Sequence, residues 1–241
     1  MERAEWLKKI QRNAEALYDH VSPQYWVSFG LSEDETHQQY LQKFLARIDK
    51  GGTILSAACG AGRYDGILLE AGCNVVGIDQ SAGMLARALE HFPVVDYRKM
   101  ALQEISFQAA FDGIICMDAI EHICPEDYPQ ILRNFQTALK SGGLLYFTAD
   151  RAEDPDFDLD VYYQRAKASG LPVVYGEVVD EAAFEWAMEQ PELSGEQSDI
   201  AVYHYYPPLA KVREWIAQAD LAIEEEGEGS GFHHFMARKR L

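Results

Sequence analysis

Residues Ile54 to Gly62 read ILSAACGAG, an apolar run closing in five residues with almost no side chain: Ala58, Cys59, Gly60, Ala61 and Gly62. Backbone this bare can pass close to a ligand, and the N–H groups opening the next helix then point outward, which suits a carboxylate or a phosphate. A second apolar run, Val75 to Ile78, ends one crossover later in Asp79. A carboxylate there is positioned to accept hydrogen bonds from both hydroxyls of a ribose. The two runs together describe a seat for a nucleoside at the carboxyl edge of a parallel sheet, a pattern that several cofactor classes share. By the same edge rule Met117 and Asp118, which close the run FDGIICMD, border the place where a reaction would occur.

Holding these residues requires strands that end together and helices that return the chain. The patterning predicts strands over Thr53 to Ala57, a run ending at Asp79, Val94 to Arg98, Gly113 to Met117 and Leu144 to Ala149. Helices are expected over Arg63 to Ala71, ended by Gly72, and over Ala82 to His91, capped by Ser81. Alternation of this kind implies an α/β fold, with right-handed crossovers and a doubly wound parallel sheet covered on both faces. Ahead of it, residues 1–50 predict a helix over Glu2 to His20, an aromatic linker SPQYWVSFG, and a helix over Asp34 to Ile48 capped by Ser32 or Asp34. Residues 151–200 break the rhythm with helical stretches, turns and acids, and are expected to form a lid or substrate-binding insert within one 241-residue domain. The chain then predicts a helix over Leu209 to Ala219 and strands over Ala222 to Glu226 and Phe232 to Arg238 around the turn GEGSG.

ILSAACGAG resembles the first motif of the class I S-adenosylmethionine-dependent methyltransferases, a strand ending in an acid followed by G-x-G-x-G. Ser56 stands where that acid is usual, and Ala58 where the first glycine is. The second departure is mild, because only positions needing positive φ exclude alanine. FDGIICMDAIEHI and SGGLLYFT are similar to the family's fourth and fifth strand regions, and the C-terminal LAKVREWIAQADLAIEEEGEGSGFHHFMARK to its closing helix and strands. The resemblance implies a seven-stranded, mostly parallel Rossmann-like sheet with an antiparallel last strand. It implies S-adenosylmethionine as cofactor and methyl transfer to the oxygen, nitrogen or carbon of a small molecule. It further implies that Asp79 holds the ribose, that Gln80 and Met84 pack near the adenine, and that Gly60 with its neighbours Ala58, Cys59 and Gly62 faces the methionine moiety. In KMALQEI, Met100 takes the position of an acid that commonly binds the adenine amine, leaving backbone groups of Ala101 or Leu102 to serve. Two other functions remain open to this sequence: a nicotinamide-dependent oxidoreductase, which Gly60, Gly62 and Asp79 would also suit, and a non-catalytic module that binds the cofactor.

A formal net charge of −18 argues against a nucleic-acid substrate, since that binding begins with a basic footprint. Thirteen of the acids, against three basic residues, fall within 151–200, where they either solvate the surface or attract a cationic substrate. No run approaches the ~18 apolar residues a membrane helix needs, and a cytoplasmic protein is the simplest expectation. Cys59, Cys73, Cys116 and Cys124 lack the spacing of a zinc site or a disulfide framework. No metal is expected: His233 and His234 alternate on one strand, and the string Asp154, Asp156, Asp158, Asp160 lacks the glycine and the final glutamate of a calcium loop. Catalytic candidates are His122 in AIEHI, equally readable as a pocket wall, together with Asp118 and His204. Tyr18, Tyr25, Trp26, Tyr205 and Tyr206 could surround an aromatic or cationic acceptor, or serve as core. Oligomeric state is left open.

Overall fold

A computed structural model describes residues 2–30, 34–151, 158–190 and 203–241. Seven strands form one sheet in the order β3-β2-β1-β4-β5-β9-β8. β1 (Thr53–Ala57), β2 (Asn74–Asp79), β3 (Asp96–Lys99), β4 (Phe111–Cys116) and β5 (Leu139–Asp150) run parallel, and β9 (Phe232–Lys239) enters antiparallel between β5 and β8 (Leu221–Gly229). Successive residues of the central strands point to opposite faces and are buried on both. Leu55, Ile114 and Leu145 join one core with Phe135 and Trp215, while Ile54, Ile115 and Leu144 join the other with Leu41, Phe44 and Leu68. The order turns at β1 and β4, which places a crevice outside their carboxyl ends.

The first two strands and α4 (Ala82–His91) have the boundaries expected, and Ser81 caps α4 by accepting from the Met84 N–H. Other elements differ at their ends: the helix expected over Arg63 to Ala71 spans Asp65–Glu70, the one expected over Asp34 to Ile48 spans Glu35–Leu45, and β4 starts at Phe111 and ends at Cys116. β5 starts at Leu139 rather than Leu144, because Leu139 pairs with Phe111 before a register shift, and Lys140 is held by Asp112 across that shift. β8 and β9 run on to a two-residue turn, Ser230 and Gly231, both at positive φ, the geometry that matches the twist of a hairpin. β3 begins at Asp96, two residues late.

The largest difference is at the N-terminus. Residues expected to be a helix and an aromatic linker form one helix, α1 (Arg3–Phe29), which continues through Pro23. Proline removes the N–H that would bond the Asp19 carbonyl and normally breaks a helix. Here the Ser22 hydroxyl donates to that carbonyl at 2.9 Å, so the acceptor stays satisfied. Behind α1, α2 (Glu35–Leu45) is capped by Asp34; the alternative cap Ser32 lies outside the described residues.

The segment after β5 contributes α6 (Leu159–Ala168), β6 (Glu177–Val179) and α7 (Glu181–Glu189). β6 pairs antiparallel with β7 (Tyr203–Tyr205), a small second sheet that the sequence did not suggest. Of the acidic string, Asp158 caps α6, and Asp154 and Asp156 lie outside the described residues. No described helix is long and apolar enough to cross a membrane, and no group of three or more potential ligands among the described residues could hold a metal ion.

Candidate functional site

The small-residue bend after β1 is held open by backbone geometry. Ala58, Gly60 and Gly62 have φ of 51°, 53° and 83°. Ala58 therefore does occupy a left-handed position, and its substitution for glycine is not the mild change expected: an L-residue there costs roughly 1–2 kcal/mol. The bend is fastened to β2 by Asp79, whose Oδ2 accepts from the Gly60 N–H at 2.9 Å and whose Oδ1 accepts from the Ser81 N–H at 2.8 Å. Burial raises the pKa of Asp79, while these two amides favour its charged form. One strand-end carboxylate thus ties the bend to the start of α4.

Outside the strand ends lies a cavity of about 400 Å³. Its wall includes Ala58, Gly60, Asp79, Gln80 and Met84 from the first crossovers, Met100, Ala101 and Leu102 after β3, and Asp118 and His122 after β4. Cys59 and Met117 instead border a smaller adjoining cavity of about 40 Å³. Gly62 faces away from both: a Cβ there would meet Phe92 and Tyr97. His204 lines neither cavity. It packs against His122, with 4.8 Å between ring centroids, and burial lowers its pKa to about 3. Tyr206 borders a separate groove, and Trp26 stacks on His91.

The roof over the larger cavity is α1, through Leu7, Gln11, Ala14, Tyr18 and Tyr25. Asp19 acts as a second cap on α4, its Oδ1 accepting from the Ser81 hydroxyl at 2.6 Å and the Gly83 N–H at 2.8 Å. Gly83 permits this approach, since a Cβ would lie 2.6 Å from the Ser22 hydroxyl. Lys99 bonds Glu15 at 2.7 Å, and Arg3 pairs with the buried Glu177 of β6, also at 2.7 Å. Nothing in the amphipathic pattern of α1 alone marks Asp19; its cap role exists only once α1 lies on α4.

His122 is set between α1 and the second sheet. Its Nδ1 faces the Tyr203 carbonyl at 3.1 Å, which can only accept, so Nδ1 carries the proton and Nε2 accepts from the Tyr18 hydroxyl at 2.8 Å. Burial lowers its pKa and keeps the ring neutral. Asp118 has a different environment. Its Oδ1 accepts from His37 Nε2 at 2.7 Å, and its Oδ2 from the Tyr64 hydroxyl at 2.7 Å and Arg63 at 3.1 Å. His37 also pairs with Asp34 at 2.9 Å, and the two carboxylates outweigh burial in raising its pKa. The pKa of Asp118 is lowered despite burial, which makes it a poor proton acceptor. Sequence reasoning missed Arg63, Tyr64, His37 and Asp19. Only Arg63 and Tyr64 carried a signal, by following the bend directly.

Residues 54–143 match the model of a methyltransferase domain. The chain is 30% identical over 198 residues to phosphoethanolamine N-methyltransferase 3 of Arabidopsis thaliana, covering 75% of this chain and 38% of that protein. It is 32% identical over 108 residues to a ubiquinone biosynthesis O-methyltransferase of Actinobacillus pleuropneumoniae, covering 41% and 45% respectively. The chain thus spans less than half the length of these two relatives. Among solved structures, the 1,6-didemethyltoxoflavin-N1-methyltransferase of Burkholderia thailandensis, with S-adenosylhomocysteine bound, shares the fold at a TM-score of 0.65 and 14% identity, covering 100% of this chain and 92% of that one.

Proposed function

The chain belongs to the class I S-adenosylmethionine-dependent methyltransferase family, and on that footing we propose that it transfers the methyl of S-adenosylmethionine to an oxygen, nitrogen or carbon of a small molecule. One observation carries this: a single cavity of about 400 Å³ has the bend and the strand-end carboxylate on one wall, and Tyr18 and Tyr25 of α1 with His122 from the segment after β4 on another. That size is within the ~300–1,000 Å³ usual for small-molecule sites.

When bound, the donor supplies a methyl made electrophilic by its sulfonium, so the chain's own work is alignment and exclusion of water. Asp79 would hold the ribose, Gln80, Met84 and Leu102 would enclose the adenine, and the backbone of Ala101 would serve its amine in place of the acid that Met100 replaces. The bend at Ala58, Cys59 and Gly60, with Met117 and Asp118 beside it, would hold the methionine part. His122 is the residue we assign to proton removal from the acceptor: it borders the cavity, burial keeps its ring neutral, and its one lone pair, on Nε2, is engaged by the Tyr18 hydroxyl, which the acceptor's own proton would have to replace. Asp118, already committed to four donors, and His204, outside the cavity, fit that task less well. Tyr18, Tyr25 and the ring of His122 suit an aromatic or cationic acceptor.

We assign residues 151–200 to a lid of the same domain. Support comes from α7, whose Ala187 packs on Leu17 and Val21 of α1, and from Lys9, which bonds Glu181 at 2.6 Å. A cytoplasmic location is supported by four free thiols, and the net charge of −18 speaks against a nucleic-acid acceptor. Calorimetry with S-adenosylmethionine, S-adenosylhomocysteine and NAD tests the proposal. Binding of the first two but not NAD is expected. Tighter binding of NAD would favour hydride chemistry, and no binding of any nucleoside would overturn the donor assignment.

A further inference from the structure

A donor with an amino-acid end presents an ammonium and a carboxylate together, and both must be met where water is scarce. Ser56, on β1, lines the small cavity beside the bend but offers only a neutral hydroxyl where an acid is usual in this family. Resting on the methyl-donor assignment, we propose that Asp118 and Arg63 form a zwitterion-binding pair, Asp118 taking the ammonium that Ser56 leaves unmet and Arg63 taking the α-carboxylate.

Four observations support the pair. Asp118 and Arg63 border the same small cavity, which shares Tyr25, Ala58, Gly60 and Asp118 with the large one, so a ligand in the large cavity can extend its tail into the small one. Both side chains are partly open, at 19% and 23% exposure, and their contact of 3.1 Å is longer than the Tyr64 and His37 bonds that fix Asp118 from behind. The Nε of Arg63 is buried and without a hydrogen-bond partner among the described residues, a donor left over for a planar carboxylate. Four donors, from His37, Thr148, Tyr64 and Arg63, occupy the roughly four lone-pair positions of the Asp118 carboxylate, and parting from Arg63 frees one for an ammonium.

The charges agree with this use. Asp34, His37, Asp118 and Arg63 alternate in sign through contacts of 2.9, 2.7 and 3.1 Å, and with His37 protonated they sum to zero. A ligand that is itself zwitterionic exchanges one internal ion pair for two intermolecular ones and leaves the balance unaltered, whereas a tail of one sign would not. Asp118 is pre-positioned at φ 50°, with its N–H donating to Thr148 Oγ1 at 2.8 Å, so its carboxylate is held in place before the ligand arrives.

The test is calorimetry on the full chain with three probes: S-adenosylhomocysteine, its analogue lacking the α-amino group, and 5′-methylthioadenosine, which lacks the whole amino-acid tail. Wild type is expected to bind S-adenosylhomocysteine at least about tenfold more tightly than either analogue, a step of ~1.4 kcal/mol. D118N should lose the preference for the amino group while binding methylthioadenosine as wild type does, which also reports an intact fold. R63Q should bind S-adenosylhomocysteine less tightly and methylthioadenosine unchanged. Retention of the full amino preference in D118N would overturn the proposal, as would a D118N chain that loses all three ligands equally, because Asp118 would then act on the fold. Failure of wild type to bind any of the three would remove the methyl-donor assignment itself, and this pair with it.

Discussion

Replacing Asp79 by alanine separates a ligand-holding acid from a mere helix cap. In the free protein its two oxygens take the Gly60 and Ser81 N–H groups at 2.9 and 2.8 Å. A hydrogen bond to a charged group contributes about 1.5–3 kcal/mol, but the carboxylate is half-buried and its raised pKa records a desolvation cost that offsets part of this. We expect a net loss of folding stability of about 1–3 kcal/mol, read as a lower urea midpoint at unchanged slope. The cofactor adds two ribose hydroxyls to the same carboxylate. Their loss should weaken S-adenosylhomocysteine binding by a further ~1–3 kcal/mol, about 5- to 150-fold in Kd by calorimetry. Asp79→Asn keeps one acceptor oxygen and should fall between the two. A variant that loses stability yet binds with wild-type affinity would refute the reasoning, because Asp79 would then serve the bend and α4 alone.

Ala58→Gly should stabilise by up to about 1 kcal/mol in urea unfolding, since relief of a left-handed alanine at φ 51° (~1–2 kcal/mol) exceeds the entropy glycine adds to the unfolded chain (~0.4–1 kcal/mol). Ser22→Ala uncovers the Asp19 carbonyl opposite Pro23 and should cost about 1–2 kcal/mol, seen in the same assay. The raised pKa of His37 has a definite pH consequence. The stability it contributes is complete below the unfolded value near 6.5 and is lost as pH rises through the folded value, so the gap between wild type and His37→Gln should shrink from pH 6 to pH 9. A constant gap would mean His37 is neutral in the fold. Nitrogen NMR should find His122 protonated on Nδ1 and still neutral at pH 6.5, where an ordinary histidine is half charged. An Nε2–H form would remove it as a base.

Much of the site could be read along the chain, because the features concerned are local. The bend, the strand-end Asp79 and the Ser81 cap are each specified by neighbours within a few residues, and short apolar runs buried on both faces mark the strands that lead into them. The extent of α1 was not legible in that way. Pro23 ends a helix by every local rule, and only the Ser22 hydroxyl bonded to the Asp19 carbonyl carries the helix past it. Likewise Ala58 looked harmless until the bend required a positive φ.

The sequence by itself therefore determined the central parallel strands, the helices between them and the acid that faces the crevice, since hydrophobic runs and turn chemistry act between near neighbours. Tertiary structure alone decided what closes that crevice and how its charges are balanced. His37 meets Asp118 across 81 positions, Tyr18 meets His122 across 104, and Arg3 meets Glu177 across 174. Such pairs leave no periodic trace, because an ion pair or a hydrogen bond depends on where two surfaces meet and not on the residues on either side of it.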